Sequence, residues 1–191
     1  MLERELRLNA AAGFSFPDLS MPGFDVVGAE NRHRHAVYYD TFDLRLARWG
    51  CWLRHRTDEG WTVRLSAVRV GDDLQPREVR LAGHRDTIPL EARDLVRGFA
   101  RRAPLVRVAR LRVMRRPVLL IDRRGEQAAE VVEEDIAAYH GEGPARRFRE
   151  VEIELSEEAD AAVLDQLVAK LSQAGAGAES PRSWLARALG P

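Results

Sequence analysis

Two short stretches, one at each end of the chain, alternate acid with apolar residue by residue: Glu3-x-Glu5-x-Arg7 near the start and Glu150-x-Glu152-x-Glu154 near the finish. In a β-strand, residues two apart share a face. The charges therefore line one side, while Leu2, Leu6 and Leu8, or Val151, Ile153 and Leu155, line the other. Both faces are committed, one to apolar packing and the other to a charged interior or a charged surface. The middle of the chain repeats the pattern with opposite sign. Trp52-Leu53-Arg54-His55-Arg56 sets Arg54 beside Arg56, Trp61-Thr62-Val63-Arg64-Leu65 sets Arg64 beside Thr62, and Arg110-Leu111-Arg112 adds another pair. Guanidinium forks suit phosphate, and carboxylates suit hard divalent cations. Strands closed on one another would thus enclose chemistry for a metal-bound polyphosphate.

At 191 residues the chain is long enough for one sizeable domain and short for two. Lys plus Arg equals Asp plus Glu at 30 each, so long-range attraction to DNA or an anionic membrane is not favoured. A basic site must then be local. Lys170 is the only lysine, and a general bias toward arginine accounts for that better than selection for phosphate binding does, so placement on strand faces carries the argument. The lone Cys51 has no disulfide partner within the chain, and no cysteine cluster points to zinc. Neither a signal-like apolar leader nor a membrane-length apolar run is present, which leads to the expectation of a cytoplasmic protein with no membrane partner.

Strands are expected at 2–8, 35–40, 51–57, 61–67, 76–82, 106–114, 117–123, 127–134 and 149–155. Residues 9–30 read as a connector rich in Gly and Pro, and Asp43 to Arg48 as a turn or short helix. Asp58-Glu59-Gly60 suggests a hairpin between the third and fourth of these segments, 51–57 and 61–67. Helical spacing appears at 89–99, with Thr87 as a possible cap, at 158–173, where Val163, Leu164, Leu167, Val168 and Leu171 recur, and at 181–189.

These segments, in this order, resemble the CYTH or triphosphate tunnel metalloenzyme superfamily, whose signature is an N-terminal Glu-x-Glu-x-Lys strand. The resemblance runs through Tyr38-Tyr39-Asp40-Thr41, Leu53-Arg54-His55-Arg56, Trp61 to Leu65, Arg77-Glu78-Val79, Val108 to Arg112, Ala129-Glu130-Val131, Arg149 to Leu155 and Leu185 to Leu189. It implies an α+β fold, an antiparallel eight-stranded β-barrel forming a tunnel with helices packed outside, as a single domain over 1–191. Related chains often continue into a helical CHAD domain, and none is expected here.

The resemblance also implies a divalent-metal-dependent triphosphatase using Mg or Mn, acting on inorganic triphosphate or another short triphosphate. On the matching positions, Glu5, Glu152 and Glu154 are the candidate catalytic residues. Glu3, Glu5, Glu150, Glu152 and Glu154 are the candidate metal ligands, and Arg7, Arg54, Arg56, Arg64, Arg77, Arg110 and Arg112 the candidate triphosphate clamp. The simpler alternatives remain open at this point: a solvated acidic face paired with arginines, and arginines held in salt bridges by tunnel glutamates. Glu78, Glu130 and Glu134 are further inward-facing candidates.

Three positions depart from the family pattern. The closing lysine of the first motif is Arg7, the lysine on the strand beginning at Trp61 is Arg64, and Ser183-Trp184 stands where relatives often show Ser-Lys. Arginine keeps charge and phosphate affinity but does not give up its proton, so a binding module for polyphosphate or nucleotides without turnover is the second expectation. An adenylyl cyclase is the third, since nothing in the sequence marks an adenine pocket. His33-Arg34-His35 reads as an exposed strand entrance, and Trp49, Trp52 and Trp61 read as aromatic packing.

Overall fold

The structure is a computed structural model that describes residues 4–11, 13–70, 73–178 and 183–190. It is an α+β fold on a large antiparallel sheet, with ten strands among the described residues. In chain order the elements are β1 (Arg4–Ala10), β2 (Phe24–Gly28), β3 (Arg32–Asp40), α1 (Arg45–Arg48), β4 (Trp52–Arg56), β5 (Gly60–Val70) and β6 (Asp73–Leu81). Then follow α2 (Leu90–Ala100), β7 (Val106–Asp122), β8 (Gln127–Tyr139), β9 (Arg146–Leu155), α3 (Ala161–Gln173), β10 (Ala176–Gly177) and α4 (Trp184–Leu189). The chain divides into two compact units, Met1–His33 with Val113–Ala137 and Arg147–Pro181, and Arg34–Arg112 with Ala138–Arg146 and Arg182–Pro191.

In the first unit, hydrogen-bonded neighbours run β10-β1-β9-β8-β7, and β2 pairs with β7. The period of two fixes which side of β1 and β9 is apolar. Leu6 lies opposite Ile153 and Leu8 opposite Val151, and these side chains join a core with Leu120, Val131 and α3. Helix α3 presents Val163, Leu167 and Leu171 at intervals of four, all buried. Burying each such side chain contributes about 1.5–3 kcal/mol. Asp160 caps the helix by accepting a hydrogen bond from Ala162 N–H at 2.9 Å. Gly175, at φ 101°, ends it in the left-handed region that a Cβ disfavours.

In the second unit β3-β4-β5-β6 are successive neighbours, and the expected hairpin joins β4 to β5, with Arg56 opposite Gly60. Leu53, Trp61 and Val63 pack against Leu46 of α1 and against Ala92, Val96 and Ala100 of α2. Trp61 is fully buried, and its indole N–H donates to His84 O at 3.1 Å. The N-cap of α1 is Leu44, whose side chain makes no capping hydrogen bond. Asp40, buried at the end of β3, supplies the cap instead: Oδ1 accepts from Leu46 N–H and Oδ2 from Ala47 N–H, both at 2.9 Å.

Several sequence expectations shift. β7 is one continuous strand across the Arg115-Arg116-Pro117 tract where two strands were expected. Pro117 interrupts nothing on that strand: Ala29 N–H donates to Pro117 O at 3.0 Å, and no donation from Pro117 is required. The connector over 9–30 contains β2, and β10 follows α3, so two short strands add to those read from the pattern. Thr87 does not cap α2, whose N-cap is Pro89. Leu2 and Glu3 of the first strand, and Ser180 and Pro181 before the last helix, lie outside the described residues. Among the described residues no helix is long and apolar enough to cross a membrane.

Candidate functional site

The charged face of the first unit follows from the β1–β9 register: Glu5 stands opposite Glu154, Arg7 opposite Glu152, and Asn9 opposite Glu150. Opposed carboxylates repel, and Arg7 is the residue that gathers them. Its Nε donates to Glu5 Oε1 at 2.8 Å, its Nη1 to Glu134 Oε2 at 3.2 Å, and its Nη2 to Glu152 Oε1. Glu150 Oε2 lies 3.9 Å from Nη1. Arg115 from β7 reaches the same group. Its Nη2 donates to Glu152 Oε2 and its Nε lies 2.8 Å from Glu134 Oε1. Glu134, Glu150, Glu152 and Arg115 are buried, Glu134 completely.

Such a cluster is tolerated because guanidinium charge offsets the desolvation of the carboxylates. One carboxyl remains perturbed. Burial pushes Glu152 up to about 7, with Arg7 opposing and the Glu134 charge and the Glu5 hydrogen bond adding to the rise. Burial also resists ionisation of Glu5, but the hydrogen bond from Glu152 and the Arg7 charge outweigh it and hold Glu5 below its ordinary value. The two carboxyls are thereby pushed apart, Glu152 being the one that favours the proton and Glu5 the one that favours the charge. Arg7, although burial opposes it, is held more firmly protonated by Glu152, Glu134 and Glu5.

Adjacent residues of a strand point to opposite faces, so Glu133 leaves this group and accepts from Arg116 and Arg149, both at 3.1 Å. Arg149 also donates to Phe14 O at 2.7 Å. Glu154 is exposed, and Glu130 is half-buried. Glu3 lies outside the described residues.

The second unit carries its own charged strand face. Arg54 lies between Tyr38 and Thr62 in the sheet, Thr62 is opposite Arg80, and Arg64 lies between Trp52 and Glu78. Arg54 Nη2 donates to Glu59 at 3.0 Å and its guanidinium sits 4.7 Å above the Trp52 ring. Arg56 Nε donates to Asp58 at 2.7 Å, and Arg56 also pairs with Glu59. Arg64 lies 3.8 Å from Glu78. Two buried polar atoms on neighbouring strands, Arg54 Nε and Thr62 Oγ1, have no hydrogen-bond partner among the described residues. Buried donors left unmade are costly, and an anion or water would satisfy them. Tyr38 beside them is raised above its ordinary value by burial, against the Arg54 charge.

The structure thus brings Glu5, Arg7, Glu150 and Glu152 together in one unit, and Arg54, Arg56 and Arg64 onto one strand face in the other. Arg77 lies opposite Leu65 and is exposed, on the opposite side of β6 from Glu78. Arg110 and Arg112 are exposed and lie 5.7 and 5.6 Å from the Tyr139 ring centre. Residues missed by the sequence reading are Arg115 and Arg80. Arg80 shares parity with Glu78, a signal available in the sequence, whereas Arg115 fell in the gap between two expected strands. Trp61 is core, Trp52 lies under Arg54, and Trp49 is two-thirds exposed. Ser183 uses its hydroxyl as the α4 N-cap, accepting from Ala186 N–H at 3.2 Å.

The all-oxygen carboxyl set of the first unit fits a hard divalent cation in donor chemistry. Among the described residues no three His, Cys, Asp or Glu side chains converge as ligands. Guanidiniums stand between the carboxylates instead.

No protein-family model matches the chain. Uncharacterized proteins from two strains of Mycobacterium tuberculosis are each 36% identical to it, over 81% of this chain and 33% of theirs. The chain spans about a third of the length of these curated relatives. Solved structures similar to it over nearly its whole length include a candidate adenylate cyclase from Bacillus halodurans, at 15% identity and TM-score 0.47, covering 94% of this chain and 95% of that one. Another is a candidate adenylyl cyclase from Hippeastrum with a dominant triphosphatase activity, at 15% identity and TM-score 0.46, covering 96% and 93%.

Proposed function

We propose that the chain is a triphosphate tunnel protein of the CYTH group that hydrolyses inorganic triphosphate, or another short triphosphate compound, with Mg or Mn. The closed eight-stranded tunnel is part of this proposal, as are a cytoplasmic location and the absence of DNA and membrane partners. The observation that carries it is Glu152, a buried carboxyl held by two guanidiniums and pushed up to about 7 on a strand face that repeats acid at every second residue.

Glu5, Glu150, Glu152 and Glu154, with Glu3, are the residues that would hold the cation. When bound, Mg or Mn supplies charge neutralisation at phosphate oxygens and a fixed orientation for in-line attack. Arg54, Arg56 and Arg64 supply phosphate contacts, and Arg54 Nε and Thr62 Oγ1 are already buried and unsatisfied. Arg77, Arg110 and Arg112 belong to the outer part of that assignment, as recruiters of the anion rather than as its clamp. Arg7 neutralises the acidic face, and Glu152 holds a proton that it releases near neutral pH, the range in which general acid–base work is efficient.

A second reading, a polyphosphate or nucleotide binding module without turnover, is favoured by Arg7 and Arg64, which cannot act as bases. Phosphate release from inorganic triphosphate with Mn separates the two. The phosphohydrolase reading expects release that drops at least about 100-fold in Glu152→Gln, in the range removal of an acid–base group gives. Tight binding of triphosphate with no release by the wild type would establish the binding module instead.

A further inference from the structure

Four carboxylates, Glu5, Glu134, Glu150 and Glu152, meet two guanidiniums in the first unit. Arg115 is the more deeply placed of the two, with 8% of its side chain exposed, and it bridges Glu134 to Glu152. One arm of that bridge is poorly made. Arg115 Nε and Glu134 Oε1 are 2.8 Å apart, yet neither atom has a hydrogen-bond partner among the described residues, because the N–H is misdirected. A completely buried carboxylate oxygen is thereby left with charge nearby and no bond. Such an atom favours exchange of its counter-ion, since its present partner does not recover the full cost of its desolvation.

We propose that Arg115 is a built-in counter-cation that occupies the divalent-cation position on Glu134 and Glu152 and is exchanged for the ion. The proposal rests on the reading that this acidic face takes Mg or Mn. It makes Glu134, outside the alternating acidic motif, a ligand, and it makes Arg115 a positioning residue that sets how tightly the cation is held. Arg115 and the cation compete for the same two carboxylates, so weakening the arginine strengthens the ion.

The test measures Mn²⁺ binding by electron paramagnetic resonance, with no phosphate present, on the wild type, Arg115→Gln and Arg115→Lys. Removing the competing charge in Arg115→Gln is expected to tighten Mn²⁺ at least tenfold, about 1.4 kcal/mol. Arg115→Lys keeps the charge, and with it the fold, but its point charge cannot bridge two carboxylates, so about a threefold tightening is expected there. Equal or weaker Mn²⁺ binding in folded Arg115→Gln would overturn the proposal. Should that variant not fold, Arg115→Lys decides alone, and binding no tighter than wild type would overturn it. Triphosphate turnover enters neither arm, so failure here is distinct from failure of the phosphohydrolase reading.

Discussion

At the residue scale, Glu152 makes stability depend on pH in a direction opposite to the ordinary carboxylate. An unfolded Glu152 ionises near 4.5, whereas the folded one does so at about 7. Between those values the native state holds the extra proton, so this group's contribution to stability falls as pH rises from about 4.5 to 7. Glu5, lowered in the fold, works the other way: its stabilisation is present above 4.5 and is lost as pH falls through its depressed folded value. Urea unfolding followed across this range should show a declining limb toward pH 7 that flattens in Glu152→Gln; an unchanged limb would remove Glu152 as its cause. Asp40 gives a second residue-scale expectation. It accepts three backbone N–H groups, from Thr41, Leu46 and Ala47, so Asp40→Ala should cost about 3 kcal/mol, in the range for buried bonds to a charged acceptor. A loss under about 1 kcal/mol in chemical denaturation would show that α1 does not depend on this cap.

At the element scale, the paired strands β1 and β9 were legible because a period of two fixes both faces at once. Leu6, Leu8, Val151 and Ile153 pack in the core while Glu5, Arg7, Glu150 and Glu152 share the other side. β7 was less legible. A tract of Arg115, Arg116 and Pro117 looks like a break, and what makes it a strand is pairing with neighbours that are distant in sequence. Dividing the strand there hid Arg115, and with it the deepest cation of the acidic cluster. Arg77 and Arg80 show the same limit on a smaller scale: both lie in one short strand, but only the parity relative to Thr62 and Leu65 says which face each occupies. For α3 the pattern was sufficient, and Leu167 is completely buried on the face that Val163 and Leu171 share. Leu167→Ala should therefore cost about 2–5 kcal/mol in urea unfolding, while an exposed change such as Asp165→Ala on the same helix should stay within about 0.5 kcal/mol.

At the scale of the whole molecule, a chain with zero net charge carries two charged strand faces, acid with guanidinium in one unit and guanidinium with unsatisfied donors in the other. The types of residue at these positions could be read from the sequence, but their ion-pair partners could not, since Arg7 reaches Glu134 across 127 positions of chain. The central claim is that these faces serve triphosphate chemistry. The most direct measurement is ³¹P nuclear magnetic resonance of inorganic triphosphate incubated with the wild-type protein and Mg. The account predicts that the triphosphate resonances give way to those of diphosphate and phosphate, and that they persist with Glu152→Gln. Triphosphate resonances that neither shift nor decay in the presence of wild-type protein would contradict both binding and turnover, and with them the proposed function.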